Sequence, residues 1–247
     1  MSMELQGKTM VVVAGSSGIG RQIAADGAAG GARVIVAGRS PEKVAATIGA
    51  LPVGGRAEGD AGIEVAQVDL ADEGSIVALA ERVGTVDYLV SVANSSANGP
   101  LGGLERDAVV RAFDAKVIGA ILLAKHFGPR FAEGGAMLLF SGIVGWRPSP
   151  GKTVTAATNG AVSFLASALA TELAPIRVNA ISPGIIDSGA WDGLGEGKQK
   201  LFDTTAAKVP ARRVGQLADI SSAALLALTN PFITGETVHV DGGARYA

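Results

Sequence analysis

The sequence predicts an α/β protein, a single domain built on a doubly wound parallel sheet. Short β-branched runs alternate with helical stretches from end to end, most of those runs are apolar throughout, and no break in composition divides the chain. A run apolar at every position fits a parallel strand covered on both faces, whereas a strand with one wet face would alternate. The chain has 247 residues, 48% of them hydrophobic and 35 of them glycine, enough for one large core with many tight turns.

In order, strands are expected at 9–13 (Thr-Met-Val-Val-Val), 33–37 (Arg-Val-Ile-Val-Ala), 64–68 (Glu-Val-Ala-Gln-Val), 88–92 (Tyr-Leu-Val-Ser-Val), 137–140 (Met-Leu-Leu-Phe), 177–181 (Arg-Val-Asn-Ala-Ile) and 237–240 (Thr-Val-His-Val). Helices fall between them, near 20–29, 41–50, 73–83, 103–131, 155–173 and 216–228. Ser40-Pro41 makes a good start for the second helix, since proline is at home in a first turn. Residues 54–62 read as a polar, Gly-rich surface loop rather than a linker, because a strand follows at once. Strand–helix alternation with right-handed crossovers restricts the topology to the Rossmann type. One domain over 1–247 follows, with a long segment near 189–210 as a lid over substrate. That segment carries Trp191, Leu194, Leu201 and Phe202, which suits an apolar small-molecule pocket.

Composition narrows the function classes. A net charge of −2 favours neither nucleic acid nor an anionic membrane as partner. The chain has no cysteine, which excludes disulfides, thiolate metal sites and a cysteine nucleophile and suits a cytoplasmic protein. The first residues lack the apolar core of a signal peptide, and no apolar run approaches the ~20 residues that span a bilayer. His126 and His239 read as packing residues, and no metal site is expected. Of the two tyrosines, Tyr88 reads as core, while Tyr246 could enter a pocket only if the tail folds inward or crosses an oligomer interface.

Val13-Ala14-Gly15-Ser16-Ser17-Gly18-Ile19-Gly20 closes the first strand and opens the first helix. Glycines there let the backbone approach a pyrophosphate, and the helix start offers unpaired N–H groups and a positive dipole end. A mere tight turn would look similar. The segment resembles the Thr-Gly-x-x-x-Gly-x-Gly of the short-chain dehydrogenase/reductase family, with Val13 for the threonine and Ala14 for the first glycine. Ala14 would be strained at positive φ unless Gly15 takes up the turn.

Further segments carry the same resemblance, from about residue 5 to 243. Asp69-Leu70 matches the family pair beside the adenine. Ser91-Val92-Ala93-Asn94 stands at the family's Asn-Asn-Ala-Gly, so Ser91 and Ala93 fall at cofactor-facing positions. Pro183-Gly184-Ile185-Ile186-Asp187-Ser188 matches the segment whose backbone holds the nicotinamide carboxamide, with Ile186 and Ser188 in it. Arg39-Ser40 follows the second strand where NAD-preferring relatives carry an acid. A guanidinium there can clamp a ribose 2′-phosphate, so the resemblance implies NADP(H) over NAD(H), although an ordinary solvated arginine is the alternative.

The catalytic segment resembles the family's least. There a serine precedes a tyrosine by thirteen residues and a lysine follows four later, with an asparagine one helix earlier. Laid over this sequence without a gap, the pattern falls on Gly142, Thr155, Asn159 and Lys116. Thr155 and Asn159 share a helix face at i and i+4, but threonine cannot copy a phenol in reach or acidity. Asn159 can still hydrogen-bond a ribose hydroxyl, without a charge. Ser141 is adjacent, but one residue along a strand points to the opposite face. Lys116 is either a snorkelling lysine or a desolvated base.

Lys116, Thr155 and Asn159 are therefore the candidate catalytic residues of an NADP(H)-dependent oxidoreductase with a rearranged site, acting on a small apolar carbonyl or alcohol. A nucleotide- or metabolite-binding protein without redox turnover, and a lyase or isomerase using Lys116, stay open beside it. The resemblance also implies a homo-oligomer, a tetramer or a dimer, paired through helices at 103–131 and 155–173. Ala120, Ala124, Ala161, Phe164, Leu165 and Ala168 are the expected surplus apolar surface.

Overall fold

In the computed structural model, which describes residues 5–48 and 63–247, seven strands form one parallel sheet. They are β1 (Thr9–Val13), β2 (Arg33–Gly38), β3 (Glu64–Gln67), β4 (Val86–Ser91), β5 (Phe131–Phe140), β6 (Arg177–Pro183) and β9 (Thr237–Val240). The order across the sheet is β3-β2-β1-β4-β5-β6-β9, so the chain winds outward one way from β1 and the other way from β4. This is the doubly wound Rossmann arrangement, with its switch point between β1 and β4.

Side-chain alternation divides each strand between two cores. Val11 and Val13 join Leu89, Leu139 and Ala180 under α3 (Glu73–Val83), α5 (Gly119–Phe127) and α6 (Thr153–Glu172). Met10 and Val12 face the other way, with Val34, Val90 and Leu138, under α1 (Gly18–Ala29), α2 (Pro41–Ile48) and α8 (Leu217–Thr229). Both faces being dry is why these strands read as unbroken apolar runs. α1 lies close on the sheet because Gly20 has no side chain: a Cβ there would sit 2.7 Å from the Gly15 Cα and 2.7 Å from Val92. The Arg177 guanidinium, buried at the start of β6, donates to the Ala227 and Leu228 carbonyls and so satisfies the end of α8.

The expected elements occur, with instructive differences. The single helix expected over 103–131 is α4 (Arg106–Phe113), a π-type turn (Asp114–Ile118) and α5, ending at Phe127 ahead of Gly128-Pro129. Proline cannot extend the helix, and β5 then starts at Phe131, earlier than the apolar run suggested. α7 (Gly197–Lys208) was not foreseen, because it buries only Phe202 and shows no apolar stripe. The two-residue strands β7 (Ile186–Asp187) and β8 (Gly215–Gln216) are too short to register in a sequence pattern. The loop expected at 54–62, and the end of the helix expected at 41–50, lie outside the described residues.

One expectation about the helix surfaces needs correction. Ala120 and Ala124 are not surplus surface: they are 1% and 2% exposed and belong to the sheet-facing stripe of α5. Phe164 and Ala168 are outward as expected, and Val110, Ile118 and Ile121 are outward beside them. α6, a helix of 20 residues, is apolar enough by length and composition to cross a membrane, although Thr, Ser and Asn interrupt it and no unbroken run shows in the sequence, as expected. Its Val154, Val162, Ala166 and Leu169 are buried, as in the core helix of a folded domain.

Candidate active site

A cleft of about 650 Å³ opens at the carboxyl ends of β1, β2 and β4, where strand order reverses. Val13, Ala14, Ala93 and Asn94 line its floor, and Ser16 lies at the turn into α1. Arg39, Ser40 and Lys43 stand at one end, and Asp69 and Leu70 on the wall beside them. Ala14 itself takes φ +60°, so Gly15 does not absorb the turn as expected. The left-handed residue is a non-glycine, and its amide is held by the Ala37 carbonyl at 2.7 Å.

Ser17 caps α1 in an extended conformation with no hydrogen bond from its side chain. The first-turn amides, at Gly18, Ile19 and Gly20, are thus left for a ligand at a dipole-favoured position for anions. The segment after β6 closes over this turn. Gly184 packs on Asp241, Ile186 is buried in β7, and the Ser188 carbonyl approaches Gly18 so closely that a Cβ there would meet it at 3.0 Å. Pro183 ends β6 at this rim. Ser91, by contrast, is buried in the sheet, paired with Val13, and does not line the cleft.

These residues fit a dinucleotide: a turn into α1 with Ala14 and Ser16 on the cleft, first-turn helix amides for a pyrophosphate and the basic Arg39 and Lys43 at one end. Ser40 is partly committed to α2, its hydroxyl bonded to Glu42 at 2.9 Å. Lys43, Arg111 and Asp114 also line the cleft and were missed. Lys43 could have been found as a second basic group in the helix that Arg39 precedes; Arg111 on α4 and Asp114 on the π-type turn have no sequence signal that ties them to the cleft.

The four positions of the sequence pattern meet at the ends of β5 and α6. The π-type turn carries Lys116 inward, where it is 8% exposed. Such turns widen a helix by one residue and re-aim the side chains they carry. The Lys116 Nζ donates to Asn159 Oδ1 at 2.5 Å and to the Ser141 carbonyl at 3.2 Å. Asn159 Nδ2 in turn donates to the Gly142 carbonyl at 3.3 Å. Thr155 lies apart from this cluster and donates its hydroxyl to Asn98 Oδ1 at 2.8 Å, a partner that sequence spacing does not reveal.

Ser141 does not point away from α6. Its hydroxyl donates to the Asn159 carbonyl at 2.8 Å and accepts from Ser163 at 2.9 Å. Alternation along β5 puts residue 141 on the face of Met137 and Leu139, under α6, and its amide still donates to the Ile181 carbonyl at 2.8 Å. Tyr88 is in the core as expected, and Tyr246 is exposed at the tail. His239 stacks edge-on against Trp146, and His126, half-buried on α5, also bonds Glu73 at 2.7 Å.

Burial lowers the Lys116 pKa from 10.5 to about 8. Below pH 8 the amine is protonated folded and unfolded, and the full desolvation cost bears on the fold. Between about pH 8 and 10.5 the folded state sheds the proton first, so stability rises with pH over that window. Urea unfolding of wild type and Lys116→Met at pH 7 and pH 10 should show the difference moving toward wild type by roughly 2 kcal/mol. A difference independent of pH would mean that Lys116 is not desolvated.

Relatives share this whole framework. The family profile described as Enoyl-(Acyl carrier protein) reductase matches residues 13–245. A short-chain dehydrogenase/reductase of Acremonium sp is 32% identical, across 99% of this chain and 97% of that one. A small-chain dehydrogenase solved in complex with NADPH superposes with a TM-score of 0.79 at 32% identity, covering 97% of this chain and 99% of that one. A structure described as a reductase/Diels-Alderase from Malbranchea aurantiaca superposes with a TM-score of 0.92 at 25% identity, covering 100% of both. With the cleft at the switch point and the match running through nearly every element, the chain belongs to the short-chain dehydrogenase/reductase family.

Proposed function

We propose that the protein is an NADP(H)-dependent oxidoreductase for a small apolar carbonyl compound or alcohol, working in the cytoplasm through a rearranged active site. The observation that carries this reading is the cleft at the β1/β4 switch point with Arg39 and Lys43 at its end. Arg39 would clamp a 2′-phosphate, and the start of α1 would take the pyrophosphate. Asp69 and Leu70 would border the adenine, the backbone of 183–188 the carboxamide, and Asn159 a ribose hydroxyl. When bound, the nicotinamide supplies or accepts the hydride. The 189–210 segment, anchored by the bond from Trp191 to the Ile186 carbonyl at 3.0 Å, would serve as lid and exclude water from an apolar substrate.

The site is rearranged because the proton-transfer positions hold other residues. Thr155 is engaged by Asn98, Gly142 has no side chain, and the cation enters from residue 116. A second reading, non-redox chemistry with Lys116 as acid or base, is favoured by burial of that amine beside the cleft. The likeness to a protein described as both reductase and Diels-Alderase adds that in this relative the fold is not confined to reduction. The outward Val110, Ile118, Ile121 and Phe164 further suit a homo-oligomer, a tetramer or a dimer paired through α4–α6.

NADPH should bind more tightly than NADH, and Arg39→Ala should weaken NADPH selectively by about 10- to 100-fold, the worth of a charge-assisted phosphate contact. Nicotinamide fluorescence titrations measure this, and equal affinities in wild type would reject the NADP preference.

Light scattering at micromolar concentration should return a multiple of the 24.7 kDa chain. A monomer would remove the oligomer from the proposal.

Turnover of a simple ketone should be very weak in wild type, since general acid–base catalysis contributes ~10²–10⁴-fold. Lys116→Asn, Gly142→Ser, Thr155→Tyr and Asn159→Lys together should raise it, whereas the single changes should do little. A Cβ at 142 meets Asn159 Nδ2 at 2.8 Å, and a lysine at 159 meets the Lys116 amine. Robust wild-type ketone reduction, unaffected by Lys116→Ala and Thr155→Ala, would place the chemistry elsewhere.

A further inference from the structure

We propose that Lys116, Gly142 and Asn159 are one interlocked unit, in which Lys116 is a positioning residue that locks the Asn159 amide with its nitrogen in the notch at Gly142, the orientation in which Asn159 serves a bound nicotinamide nucleotide. The inference rests on the cofactor reading above, but its structural half stands on contacts within the chain. An ammonium can only donate, so the atom of Asn159 that lies 2.5 Å from Lys116 must be the oxygen. That fixes the nitrogen on the opposite side, toward the Gly142 carbonyl at 3.3 Å. Amide orientation is here set by chemistry rather than by shape, which cannot tell oxygen from nitrogen.

Gly142 completes the lock. Its φ of 164° is ordinary extended backbone, so the glycine is not there for conformational freedom. What matters is space: a Cβ would sit 2.8 Å from Asn159 Nδ2 and 3.4 Å from its Cγ. The amide nitrogen fills the volume that a side chain at 142 would take. The substitutions at 116, 142 and 159 therefore form one arrangement: the Lys116 bond orients the Asn159 amide, and the amide so oriented needs the room at Gly142.

The elements packed most closely on the π-type turn are α4, α5 and α6, and Lys116 also meets the Ser141 carbonyl after β5. Their charged groups are Arg106, Asp107 and Arg111 on α4, Lys125 and His126 on α5 and Glu172 on α6, with Asp114 on the turn itself. None of them moves the Lys116 pKa, which burial alone brings to about 8. When the amine loses its proton it gains a lone pair, can accept from the amide nitrogen, and no longer dictates which way Asn159 faces.

The test uses the full chain with NADPH as probe. Wild type, Lys116→Met, Lys116→Asn, Asn159→Lys and the double exchange Lys116→Asn/Asn159→Lys are compared by thermal midpoint and by nicotinamide fluorescence titration from pH 7 to pH 9.5. Wild-type affinity should fall roughly 2- to 10-fold as pH rises through 8, the range of one hydrogen bond, and Lys116→Met should bind weakly with no such pH step. Asn159→Lys should have the lowest midpoint, since it sets two ammonium groups together in a dry site. The double exchange should recover most of that loss, because it restores one cation and one amide. Additive midpoints would overturn the interlock. A pH step that survives in Lys116→Met would overturn the positioning role, as would a wild type whose midpoints show coupling but which binds no NADPH at any pH; that last result would reject the cofactor reading while leaving the interlock measured.

Discussion

A parallel sheet covered by helices on both faces leaves few places for a polar site, and this constraint arranges everything else in the molecule. Its strands bury their side chains on either side, in the α1–α2–α8 layer and in the α3–α5–α6 layer. Backbone groups within the sheet are consumed by neighbouring strands. Ligand-facing chemistry is left to the carboxyl ends, and the reversal between β1 and β4 separates two helix layers there into a cleft. Ala14 at φ +60° shows the tension at that edge: the turn from β1 into α1 is tight enough to hold a non-glycine left-handed.

The same constraint explains why the Lys116 cluster is structurally demanding. A lysine brought inward at the base of a helix loses hydration that no carboxylate replaces among its bonded partners, which are an amide oxygen and a carbonyl. Those acceptors favour the charged form while burial opposes it, and burial prevails to the extent of a pKa near 8. A helix of regular pitch would aim residue 116 differently; the π-type turn supplies the extra residue that turns it toward β5 and α6. Local geometry thus departs from the regular α-helical pattern over Asp114–Ile118 where the cation is delivered.

Much of the fold was legible because both-face burial leaves a one-dimensional trace. The runs at 9–13 and 237–240 gave strands with the same limits, and 73–83 gave α3, whose start is capped by Asp72. What was hidden depends on contacts across the chain. The π-type turn has no composition signature, α7 shows no stripe because it buries only Phe202, and Ala120 and Ala124 looked outward only because small residues suit either face of a helix. At the site, position 159 could be seen to share a helix face with 155. That its oxygen would be taken by Lys116, forty-three positions earlier, could not.

Gap-free alignment to a pattern reports which residues stand at four positions, and taken singly each departure here reads as a loss. The distances join three of those departures into one hydrogen-bonded structure: Lys116 needs an acceptor, Asn159 supplies its oxygen, and the nitrogen then needs the room that Gly142 leaves. Random decay at independent positions has no reason to produce groups that satisfy one another in a buried place, where an unpaired polar atom costs about 1–3 kcal/mol. Thr155 lies outside the set, bonded to Asn98, so the hydroxyl position and the cation–amide pair are separate elements of this site. Changes within the trio would therefore act on packing and charge together, while a change at 155 acts through its bond to Asn98.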